Sequence, residues 1–71
     1  MDTAIKVNVM EKLASGELRE IDEREWTAAM IESLNHVNYI MIGGVEYETI
    51  EGRLNVDTGA LELLVAKVMH R

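Results

Sequence analysis

Apolar and polar residues recur along this chain with more than one period, and glycine alone marks the breaks, at Gly16, Gly43-Gly44, Gly52 and Gly59. Over residues 3–14, Ile5, Val9 and Leu13 fall at i, i+4 and i+8, with Val7 and Met10 beside them. Asp2 would cap this segment, Gly16 would end it, and Met10 to Ala14 are good helix formers, so the spacing predicts a helix. Ile5-Lys6-Val7-Asn8-Val9 also alternates as a strand does, which leaves a strand as the alternative. Over residues 22–36, Trp26, Met30, Leu34 and Val37, flanked by Ile31, make one apolar stripe. Asp22 and Glu25 sit where a capping box would start a second helix, and Glu25, Glu32 and His36 fall opposite the stripe. Over 38–50, Tyr39-Ile40-Met41-Ile42 and Val45 to Ile50 flank Gly43-Gly44 and predict a β-hairpin with a two-residue primed turn. Arg53 to Val56 suggests a short third strand. Leu61, Leu64, Val65 and Val68 then fall at i, i+3, i+4 and i+7, so residues 58–70 predict a last helix with Asp57 as its cap. The rival reading makes Asp57-Thr58-Gly59 a tight turn and Ala60 onward a strand. Residues 1–71 are thus expected to form one α+β domain, in the order helix, helix, β-hairpin, helix.

Length constrains how such a domain holds together. A chain of 71 residues buries only about 60% of the surface its unfolded form exposes. There is no cysteine, which removes disulfides and thiolate zinc sites as staples. With one Trp, two Tyr and no Phe, the core must be mainly aliphatic, with methionine filling gaps. A helix over 4–14 would be apolar on most of its circumference, from Ala4, Ile5, Val7, Val9, Met10, Leu13 and Ala14. An apolar helix at the end of so small a chain points to an interface, and a homo-oligomer, most simply a dimer, is expected.

Thirteen acids against seven bases give a net charge of −6. Proteins that grip nucleic acid need the opposite balance, so direct contact with DNA or RNA is not expected. Met1-Asp2-Thr3-Ala4 lacks the basic and apolar regions of a signal peptide, and no apolar run approaches the ~20 residues that span a bilayer. The expected location is cytoplasmic, away from membranes.

Candidate chemistry is sparse. Val56-Asp57-Thr58-Gly59-Ala60 resembles the catalytic loop of aspartic proteases, which implies two such aspartates sharing one proton. The resemblance covers five residues. Too little chain follows to supply a flap and a β-structured body, so Asp57 reads as a cap or turn former. Glu32 and His36 share a helical face at i, i+4 but have no third ligand nearby. His70 at the end of a helix is accounted for by the helix dipole. Thr3, Ser15, Thr27, Ser33, Thr49 and Thr58 have no base at a recognisable spacing. Gly43-Gly44 lacks the Lys-Ser/Thr and the helix start of a phosphate loop. No catalytic residue, metal or cofactor is expected, and the chain does not read as an enzyme.

What remains is acid. Glu17, Glu20, Asp22, Glu23 and Glu25 outnumber Arg19 and Arg24, and Glu46, Glu48 and Glu51 cluster before Arg53. In a strand, residues i and i+2 share a face about 6.7 Å apart, so Glu46 and Glu48 would project together. The pattern points to a small acidic interaction module, an adaptor or inhibitor of the phage or plasmid kind. It would occupy a basic surface on a protein partner through Glu20, Glu23, Glu46, Glu48 and Glu51, as a nucleic-acid mimic in the extreme case. The alternative is a dimeric transcription-associated regulator or antitoxin-like subunit that reaches nucleic acid through a basic partner.

Overall fold

The computed structural model describes residues 4–69 and is nearly all sheet, 64% strand and 9% helix. The elements are β1 (Ala4–Lys12), β2 (Leu18–Thr27), α1 (Ala28–Ser33), β3 (Tyr39–Ile42), β4 (Val45–Asn55) and β5 (Ala60–Lys67). They form one curled five-stranded half-barrel in the order β2-β1-β5-β4-β3. Neighbours run antiparallel except β1 and β5, which are parallel.

This corrects the expected helix-helix-hairpin-helix α+β domain. The first helix is β1, because Val7 and Val9 alternate with polar residues and are wholly buried against β5. Long-range pairing overrides the helix propensity of Met10 to Ala14. The apolar circumference that argued for self-association therefore belongs to a central strand with a neighbour on each side. Residues 22–27 of the second helix are the end of β2, and only Ala28–Ser33 are helical. Thr27, not Asp22, caps that turn, its Oγ1 accepting from the Met30 N–H at 3.2 Å. The last helix is β5, a central strand whose inward Leu63 and Val65 are buried while its outward Leu64 and Ala66 are half-buried, so its apolar run does not alternate cleanly. Asp2, Thr3 and His70 lie outside the described residues.

The hairpin forms as its sequence implies. Ile42 faces Val45 across Gly43 (φ +58°) and Gly44 (φ +80°), the two positive angles that a primed turn demands. β4 then runs on to Asn55 and absorbs the short third strand. The turn into β5 is organised by Asn55 and not by Asp57. Asn55 Oδ1 accepts from the N–H groups of Asp57 (3.1 Å) and Thr58 (3.3 Å), and Gly59 supplies the left-handed residue at φ +72°.

The concave face carries the core: Val7, Val9, Trp26, Tyr47, Leu63 and Val65, with Ile31 and Leu34 packed onto it from α1 and the turn that follows. Full burial of Val7, Val9 and Val65 stabilises by about 1.5–3 kcal/mol each. One charge enters this layer. Glu11 is 7% exposed, and its carboxylate takes a 2.7 Å hydrogen bond from Arg19 on β2, the residue directly opposite.

Candidate functional site

Two irregularities in pairing decide what the convex face presents. In β2, Val9 pairs with Asp22 but Met10 pairs with Glu20, so Ile21 is an extra residue. In β4, Thr49 pairs with Val65 but Glu51 pairs with Leu64, so Ile50 is extra. Each bulge shifts the alternation by one. Glu20 and Glu23, three apart in sequence, therefore face the same way, as do Glu48 and Glu51. Strict alternation would have put one of each pair inside. Glu46 and Glu48 share that side through the ordinary period of two. All five predicted residues, Glu20, Glu23, Glu46, Glu48 and Glu51, thus lie on the convex face, joined there by Glu25. The β2 and β4 groups are separated by β1 and β5, roughly 14 Å of sheet.

Few bases balance them. Four of the seven Lys and Arg residues are taken up in pairs: Lys6–Glu23 at 3.0 Å, Arg19–Glu11 at 2.7 Å, Arg24–Asp22 at 2.7 Å, and Arg53–Glu62. Glu62 is held by more than Arg53, for Asn55 Nδ2 donates to its second oxygen at 3.1 Å. The Asn55 hydrogen bond first, then the Arg53 guanidinium, holds the Glu62 carboxyl below its usual range. Glu20, Glu25, Glu48 and Glu51 are exposed and enter no ion pair among the described residues. Negative potential on the convex face therefore stays largely uncompensated.

The open side of the half-barrel offers a second feature. α1 lies across it and leaves a cleft on each flank. One, of about 510 Å³, is bounded by Ile5, Ile31, Leu34, Thr49, Gly52 and Leu63. The other, of about 310 Å³, lies between the two edge strands, with Asp22, Arg24 and Trp26 on the β2 side and Tyr39, Ile40 and Met41 on the β3 side. Met30, Val37, Tyr39 and Met41 around it are 43–68% exposed. Asp22 grips Arg24 through two 2.7 Å hydrogen bonds, which with their charge attraction raise the guanidinium pKa. Trp26 is 7% exposed, and its indole N–H is buried without a hydrogen-bond acceptor among the described residues. Nothing in the sequence pattern signalled this cleft, because the Trp26, Met30, Leu34 and Val37 stripe runs across the junction of strand and helix.

The remaining candidates do not assemble. α1 ends at Ser33, so Glu32 and His36 do not share a helical face, and no group of three metal-ligating residues occurs among the described residues. Asp57 is exposed in a turn, and a strand of eight residues follows it. No helix among the described residues is long and apolar enough to cross a membrane, which says nothing of β-barrels. Comparison with protein-family models, with curated proteins and with solved structures gives no match, so geometry and charge alone bear on what the protein does.

Proposed function

We propose that the protein is a non-catalytic interaction module whose convex acidic face occupies a basic surface of a protein partner. The observation that carries this reading is the pair of β-bulges that turns Glu20, Glu23, Glu48 and Glu51 to the same side as Glu46. Uncompensated charge of one sign on a curved sheet speeds encounter with a surface of opposite sign and selects against acidic competitors. An adaptor or an inhibitor works in this way, and an inhibitor of a nucleic-acid-binding protein would use the same face in place of phosphates.

The test is capture of a partner from the source organism on immobilised protein, with elution by salt. Captured protein should be basic, leave at moderate ionic strength, and be lost when Glu48→Lys and Glu51→Lys are combined in a folded variant. A partner held equally well by that variant would remove the acidic face from the account.

A further inference from the structure

Among the described residues, both edges of the sheet, β2 and β3, have a strand on one side only. Among the described residues β2 pairs only with β1, so alternate N–H and C=O groups along its other side have no strand there to bond. That side borders the 310 Å³ cleft, whose far wall is β3. A strand laid along β2 would meet two different environments. Its outward residues would stand beside Glu20, Glu23 and Glu25 on the convex face. Its inward residues would enter the cleft beside Trp26 and the Asp22–Arg24 pair of β2, with Met30, Leu34 and Val37 across from them, a space at the lower end of small-ligand sites, roughly 300 Å³.

We infer that the β2 edge takes an extended segment of a protein partner in which basic and apolar residues alternate. The main chain would supply the binding bonds, and the alternating side chains the specificity. Charge complementarity names the outward residues, since among the described residues Glu20 and Glu25 enter no ion pair and Glu23 pairs with Lys6 alone. The exposed apolar side chains of Met30 and Val37 name the inward ones, since Asp22 and Arg24 on the β2 side already satisfy each other. Trp26, which lines this cleft, has its indole N–H buried with no acceptor among the described residues. A second copy of the chain is the wrong occupant here. Antiparallel pairing of two β2 edges would set glutamates beside glutamates, and like charges so placed destabilise a sheet. The charges that guard the edge against self-pairing are thus the ones that admit a basic strand.

The inference rests on the binding-module reading and adds where and how a partner segment binds. The full chain, labelled with ¹⁵N, is titrated at low salt with three synthetic peptides: Lys alternating with Val, Glu alternating with Val, and Lys alternating with Ser. The expected result is that only the Lys/Val peptide slows hydrogen exchange of β2 amides and shifts the indole signal of Trp26, the sole tryptophan. Glu20→Lys with Glu25→Lys, folded by circular dichroism, should weaken that peptide by on the order of tenfold and should accept the Glu/Val peptide instead. Shifts confined to Glu46, Glu48 and Glu51, with β2 amides exchanging as in the free protein, would overturn strand addition while leaving the acidic face intact. Equal binding of the Lys/Ser peptide, or no binding of the Lys/Val peptide, would overturn it as well.

Discussion

Replacing Trp26 separates two contributions that the structure assigns to one side chain. The ring is 7% exposed and sits in the core cluster with Val7, Val9 and Leu63, while its N–H is buried without an acceptor among the described residues. Trp26→Ala removes the whole ring, at a cost of about 3–5 kcal/mol. A domain of 71 residues has roughly 4–11 kcal/mol in all, at 0.05–0.15 kcal/mol per residue. The alanine variant should therefore stand close to unfolding at room temperature. Trp26→Phe keeps most of the ring. It loses about 1–2 kcal/mol of buried apolar surface, but it also removes a donor whose unmet desolvation costs about 1–3 kcal/mol. These terms offset, and the phenylalanine variant should lie within about 1 kcal/mol of wild type. Urea unfolding followed by far-ultraviolet circular dichroism measures both, since neither variant retains a tryptophan to report by fluorescence. An alanine variant with an unchanged midpoint would refute the core assignment. A phenylalanine variant as unstable as the alanine one would refute the unmet donor.

Five further substitutions probe the turns and pairs. Asn55→Ala should cost about 1–2 kcal/mol in urea unfolding, through loss of the bonds to the turn amides and to Glu62, while Asp57→Asn should change stability by less than about 0.5 kcal/mol. Glu62 titrates below its ordinary range when folded, so it contributes stability above its unfolded pKa and loses it as pH falls through the folded value. Thermal unfolding of Glu62→Gln should accordingly show a shallower loss of stability on acidification than wild type, with the difference confined to the acid side. Arg19→Ala strips the partner from the buried Glu11 carboxylate and should lower the unfolding midpoint more than Lys6→Ala, whose pair with Glu23 is about half exposed on both sides.

The hairpin was legible because Gly43-Gly44 is a strong local signal that needs no knowledge of the rest of the chain. The strand reading of Ile5 to Val9 and the turn at Asp57 to Gly59 were both visible as alternatives. They lost to helical spacing because a short apolar run fits either period. β2 was the hardest element to read. Its inward positions hold Asp22 and Arg24, which satisfy each other and hide the alternation that marks a half-buried strand. Glu46 and Glu48 could be placed on one face from period two alone. That Glu51, and the Glu20 and Glu23 pair, join the same face depends on extra residues at Ile21 and Ile50. Those bulges are set by pairing across the sheet, not by local sequence. The cleft between β2 and β3 arises only when the sheet curls, so no linear pattern announces it.

The placement of the acids, and not their number, is the central claim. Two variants of equal net charge separate the two. One carries Glu46→Gln, Glu48→Gln and Glu51→Gln on the convex face. The other carries Glu17→Gln, Glu32→Gln and Asp57→Asn in the turns and helix. Each changes the net charge from −6 to −3 by neutralising three acids. Association rates with the captured basic partner are measured for both across a series of ionic strengths. The account predicts that the convex variant associates more slowly and with a flatter salt dependence, while the turn variant stays near wild type. Equal slowing of the two variants would show that net charge alone steers the encounter, and it would contradict the acidic face as a site.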